Sequence, residues 1–129
     1  MQTSEPGTLP LEVTQLHSTA WPDHGVPENM SVMLSIIRRV RRFHPYSSPK
    51  PLLVHCSAGV GRTGTFIVLD SMLERMKTEK SFNIFEFIWQ LRAERVEMVQ
   101  SLVIAITYVI LCSEHVCSVR LSMCSSMIP

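Results

Sequence analysis

Long apolar runs, a bias of charge and regularly spaced cysteines are all missing from this chain of 129 residues. The longest charge-free apolar run, Met98 to Cys112, falls short of the ~18 residues that cross a membrane as a helix. Gln100, Ser101 and Thr107 interrupt it, and a buried helix is the expectation. Charge is balanced: 12 Lys and Arg against 11 Asp and Glu leave a net charge of +1, which excludes a global attraction to nucleic acid. Of four cysteines, three (Cys112, Cys117 and Cys124) lie near the C-terminus. Their spacings match no common zinc pattern, and no histidine pair accompanies His115. The first ten residues, MQTSEPGTLP, are polar and rich in Pro and Gly rather than a secretory leader. A disulfide framework is therefore not expected, and the chain is read as cytoplasmic with reduced thiols. There is no internal repeat.

What is present suits one ordinary domain, with 46% hydrophobic and 18% charged residues. Residues 1–10 read as a mobile leader. Leu11 to Trp21 has strand-like content, and "WPDHGVPEN" is a loop by its two prolines and glycine. Asn29 is placed to cap a helix whose apolar stripe is Met33, Ile36, Ile37, Val40 and Phe43. Arg38, Arg39, Arg41 and Arg42 fall mostly on the other side, a solvated face or a contact for an acidic partner. Leu52 to Val54 reads as a short buried strand. A second helix is expected from Thr63 to about Met76, with Phe66, Leu69, Leu73 and Met76 on one face. Asn83 and Glu86 resemble a capping pair for a third, striped by Ile84, Phe87, Ile88 and Leu91. Residues 113–129 show no periodicity and read as a disordered tail.

Between the strand and the second helix stands "VHCSAGVGRTGT", Val54 to Thr65. A strand feeding a glycine-rich turn and then a helix builds an anion cradle. Successive backbone N–H groups point inward, and the helix N-terminus adds its partial positive charge. Gly59, Gly61 and Gly64 let the backbone come close to a ligand. Arg62 can bind two oxygens of a tetrahedral oxyanion at once. Cys56 sits at the mouth, where the same dipoles favour a thiolate over a thiol of ordinary pKa near ~8.5. A thiolate facing a phosphate ester can attack phosphorus and form a cysteinyl-phosphate intermediate. Arg62 and the loop amides would then stabilise the transition-state oxygens. The nucleotide-binding loop that ends in Gly-Lys-Ser/Thr is a different device, with lysine in place of arginine and no nucleophile. A buried cysteine beside a structural turn is the plainer reading, and the flanking His, Gly and Thr weigh against it.

The departing oxygen needs a proton from another segment. "WPDHGVP" offers Asp23, on a loop free to swing, with His24 as a rival donor.

These two segments, "WPDHGVP" and "VHCSAGVGRTGTF", closely resemble the tyrosine-specific protein phosphatases, a cysteine-dependent family with receptor and soluble members. The likeness continues through "LRAERVEMVQ", covers roughly residues 11 to 100, and leans toward receptor-type members. It implies an α/β fold in which strand, phosphate loop and helix are flanked by helices. It also implies hydrolysis of phosphotyrosine in proteins, without metal or cofactor. By the same resemblance Cys56 is the nucleophile, Arg62 the phosphate-binding arginine, and Asp23 the acid and later the base. His55 helps lower the thiol pKa, Thr63 offers its hydroxyl to the thiolate, and Gln100 positions the hydrolytic water. Trp21 anchors the mobile loop. The amides of Ser57, Ala58, Gly59, Val60, Gly61 and Arg62 line the cradle. The partners implied are phosphotyrosine-containing proteins; a membrane enters only through a longer receptor-type product, at its cytoplasmic side.

The family's domain is about twice as long as this chain, and the resemblance covers its C-terminal part. The N-terminal half of the sheet is absent, with the segment that sets pocket depth. Where the family carries a second glutamine there is Ile104, and the match fades beyond Gln100. Residues 11–112 are thus expected to form a partial catalytic domain. The alternative function is a catalytically impaired remnant that binds a partner or does nothing.

Overall fold

The computed structural model describes residues 12–21, 31–79, 82–102, 104–107 and 109–110. The leader at 1–10, Asp23, His24, Asn29, and the tail at 113–129 with Cys117 and Cys124 lie outside these residues, as does Cys112.

Three helices organise the described part: α1 (Ser31–Phe43), α2 (Gly61–Thr78) and α3 (Ile84–Glu94). α2 is central and packs against both others. Its burial therefore runs nearly round the helix: Thr63 to Phe66, Val68, Leu69, Asp70, Met72 and Met76 are all buried. The sequence predicted a single buried face starting at Thr63. The helix begins two residues earlier, and flanking helices on two sides bury more than one stripe.

On α1, Met33, Ile37 and Val40 enter the core as the periodicity predicts. Phe43 does not, being 63% exposed. It shares an angular position with Ile36, at the margin of the stripe, and Ile36 is itself only partly buried. On α3, Ile84 and Ile88 are buried, and Asn83 Oδ1 accepts the Glu86 N–H at 3.2 Å, which confirms the cap. Residues 104–107, 109 and 110 are helical, and Ala105 and Val109 are fully buried in the same core.

The strands are the correction. No residue among those described is in a strand. Leu52–Val54 has no regular structure, and Leu53 is 86% exposed and Leu52 37%. A strand buries its faces only against a paired neighbour and a covering layer; among the described residues no strand pairs with this segment, and of its three residues only Val54 packs against the core. The strand-like segment before Trp21 is also without regular structure; it touches the core through Leu16 and Trp21.

A polar clamp fastens α1 to α2. Asp70, 5% exposed, receives the Arg41 guanidinium through both carboxylate oxygens, with Nε to Oδ1 at 2.7 Å. The Tyr46 hydroxyl donates to Asp70 Oδ1 at 2.8 Å. The Arg41 guanidinium lies over the Tyr46 ring, 3.6 Å from its centroid.

Candidate functional site

The site is built where the irregular segment after α1 ends and α2 begins. Val60 occupies the N-cap of α2 and carries no capping side chain. The first N–H groups of a helix lack intrahelical partners; here they are left to whatever sits before them, and Cys56 sits before them. The Gly59 N–H donates to Cys56 Sγ at 3.2 Å. Gly59 has φ +73°, the left-handed region that lets the chain fold back over the sulfur.

Cys56 is half-buried. Burial by itself pushes its thiol up, but hydrogen bonds outweigh burial and bring the pKa down to about 7. They come from the Thr63 hydroxyl and from the N–H groups of Thr63, Gly59 and Val60. Thr63 Oγ1 is buried and completes no hydrogen bond within the described residues. The two facts agree if charge state is considered: a neutral thiol is a poor acceptor, and a thiolate gives that hydroxyl a strong one.

Arg62, the second residue of α2, donates from Nη1 to the Trp21 carbonyl at 3.3 Å. The structure thus brings the arginine and the loop anchor together. Asp23, two residues further along, lies outside the described residues. Gln100 comes to the same place from the other end of the chain. A Cβ on Gly61 would stand 2.6 Å from Gln100 Oε1, so that amide lies against the cradle. Ser57, Ala58 and His55 are exposed, Gly59 and Gly61 half-buried, and Val60 buried.

A brace behind the cradle was missed in the sequence. Arg92 donates from Nε to the Met98 carbonyl and from Nη2 to the Val99 carbonyl, both at 2.9 Å. The Val99 N–H donates to the Val60 carbonyl at 3.1 Å. Arg95 Nη2 donates to the Ala58 carbonyl at 3.2 Å. Glu97 and Val99 both have φ +63°, uncommon for side chains with a Cβ and least favourable for a β-branched one. Val99 is fully buried in that conformation, so the surroundings hold it there. Gly64 makes the approach possible: a Cβ on it would meet the Val99 nitrogen at 2.5 Å. The available signal was the arginine pair three residues apart, directly before the segment that carries Gln100.

A thiol of lowered pKa before an uncapped helix start, with a guanidinium two positions into that helix, is chemically suited to set a thiolate against an oxyanion. The comparisons are more particular. The family model described as protein-tyrosine phosphatase matches residues 1–113, and the chain belongs to that family. It is 56% identical over 90 residues to tyrosine-protein phosphatase Lar of Drosophila melanogaster, which covers 70% of this chain and 4% of that protein. It is 52% identical over 90 residues to receptor-type tyrosine-protein phosphatase S of Gallus gallus, covering 70% and 6%. With receptor-type tyrosine-protein phosphatase epsilon of Rattus norvegicus it is 48% identical over 92 residues, covering 71% and 13%. The chain thus spans a small part of the length of these relatives. No helix among the described residues is long and apolar enough to cross a membrane.

Proposed function

We propose that this chain carries the phosphate-transferring core of a protein-tyrosine phosphatase and hydrolyses phosphotyrosine in proteins. The Cys56 thiolate attacks phosphorus, and the bond from phosphorus to the phenolic oxygen breaks. That oxygen takes a proton from Asp23. Arg62 and the N–H groups of the loop hold the three remaining phosphoryl oxygens while charge redistributes. Gln100 then orients a water, Asp23 takes its proton, and the water oxygen attacks phosphorus. The S–P bond breaks, orthophosphate leaves, and the Thr63 hydroxyl stabilises the returning thiolate. No step uses a metal or cofactor. In this reading Leu52–Val54 belongs to the family's α/β fold, and the substrates are phosphotyrosine-containing proteins.

One observation carries the proposal: amide and hydroxyl donors bring the Cys56 thiol down to about pKa 7, so more of it is nucleophilic at neutral pH than of an ordinary thiol. The test is turnover of an aryl phosphate by the purified chain, with acid-quenched trapping of radiolabelled phosphoprotein. Wild type is expected to turn over and to trap label on Cys56, and Cys56→Ser to do neither. Equal turnover by the two proteins would overturn the reading.

A second reading, a phosphotyrosine-binding remnant without turnover, is favoured by the exposure of Leu52 and Leu53, just before Cys56. It predicts that phosphopeptide binding survives with no turnover and no trapped label.

A further inference from the structure

The peptide unit between Ala58 and Gly59 is held from both ends. On the outside its carbonyl oxygen accepts a hydrogen bond from Arg95 Nη2 at 3.2 Å. On the inside its N–H donates to Cys56 Sγ, also at 3.2 Å. The amide is planar, so carbonyl and N–H turn together. Rotating that plane away from Arg95 takes the N–H away from the sulfur. Gly59, at φ +73°, is the residue across which such a rotation meets least steric resistance, because glycine populates both signs of φ. A lock from outside the loop therefore has something to hold.

Arg95 is well placed to be that lock. Its own backbone N–H caps the end of α3 by donating to the Leu91 carbonyl at 2.9 Å. Its guanidinium lies so close to Gly59 that a Cβ there would stand 3.2 Å from Nη2. A cationic donor at a carbonyl also polarises the peptide and strengthens the N–H at its other end.

We propose that Arg95 is a positioning residue for the nucleophile: it fixes the Ala58–Gly59 peptide with its N–H turned toward Cys56 and so favours the thiolate without touching it. This rests on the reading of Cys56 as the nucleophile. Other charged groups face the same region. Arg62 belongs to the first turn of α2, and His55 precedes the sulfur in sequence. Glu94 and Glu97 line with Ala58, Val60, Val96 and Arg95 an open cavity of about 580 Å³ beside the loop. Glu94 and Glu97 carry charge opposite to that of Arg95, so the salt dependence below is what separates bare charge from the oriented amide.

The experiment is the pH dependence of Cys56 alkylation by iodoacetamide in the full chain, for wild type, Arg95→Leu, Arg95→Lys and the remote control Arg75→Leu. A lost hydrogen bond to a charged group corresponds to about one pKa unit, so Arg95→Leu is expected to alkylate about tenfold more slowly at pH 6. Arg95→Lys keeps a cationic donor and retains part of the effect; Arg75→Leu matches wild type. A wild-type midpoint in the ordinary thiol range defeats the nucleophile reading itself. A low wild-type midpoint left unmoved by Arg95→Leu overturns the inference and leaves that reading standing. High salt separates charge from orientation: a wild-type midpoint that rises in about 1 M salt as far as in Arg95→Leu overturns the oriented peptide in favour of bare charge. Arg95 is exposed, and if Arg95→Leu fails to melt cooperatively, Arg95→Lys and Arg95→Gln replace it. Midpoints equal to wild type in both overturn the inference; a raised midpoint in Arg95→Gln supports it.

Discussion

Cys56 feels two opposed influences, and the sum decides its chemistry. Burial favours the neutral thiol, and the Thr63 hydroxyl with three N–H groups favours the anion and wins. Thr63→Ala removes one of these donors and leaves the amides, so the alkylation midpoint should rise toward the ordinary thiol value, slowing reaction at pH 6 about three- to tenfold. Stability follows the same linkage. The folded thiol titrates near 7 and the unfolded one near ~8.5. Between those values the unfolded chain holds the extra proton, so stability rises with pH and the gain is lost as pH falls through about 7. Thermal melts of wild type and Cys56→Ser across that window should diverge upward with pH for wild type; parallel curves would contradict the assignment. Cys56, Gly59 and Arg62 were legible in the sequence because a loop leading into a helix is local, and its chemistry follows from neighbours within ten positions; the role of Thr63 came only from the family resemblance. Arg92 and Arg95 were not legible. Arg95 acts on the carbonyl of Ala58, 37 positions away, and nothing in periodicity reports a contact of that kind.

At the scale of the element, α2 and the turn after α3 meet closely near the site. Ala in place of Gly64 would gain about 1 kcal/mol from helix propensity. Its Cβ would meet the Val99 backbone nitrogen at 2.5 Å, and overpacking of this kind costs about 1–3 kcal/mol. The obstructing atom is backbone and cannot swing aside, so the clash wins. Gly64→Ala should lower the urea midpoint and also slow turnover, because Val99 carries Gln100 with it. By contrast Asn83→Ala removes a cap remote from the loop. It should cost about 1 kcal/mol in a urea melt and leave Cys56 alkylation unchanged. Helix existence and the Asn83 cap were readable from spacing and capping chemistry. The all-round burial of α2 was not, because a stripe is visible only when the other face meets water. The exposure of Phe43 was hidden for the opposite reason: position on a stripe does not say where the covering layer stops.

For the molecule as a whole, the helices share one core, while the segment leading into Cys56 has no strand partner among the described residues. The Arg41–Asp70–Tyr46 clamp holds α1 against α2 in the absence of a sheet between them among the described residues. Removing Arg41 leaves a carboxylate 5% exposed without its cation, so Arg41→Ala should destabilise by about 3 kcal/mol. Arg75→Ala breaks an ion pair whose side chains are 38% and 39% exposed and should cost less than about 1 kcal/mol. Equal effects in urea melts would mean that the clamp is ornamental. The strand at Leu52–Val54 was inferred from apolar content, and the described residues hold no strand there. Pairing is a property of the neighbour and cannot be read from the segment itself. The account as a whole turns on whether the loop keeps sulfur ionised and is shaped for a tetrahedral anion. The most direct measurement is the pH profile of Cys56 alkylation in the wild-type chain, with and without inorganic phosphate. The account predicts a midpoint near 7 and slower alkylation in the presence of phosphate; a midpoint in the ordinary range near ~8.5, unaffected by phosphate, would contradict it.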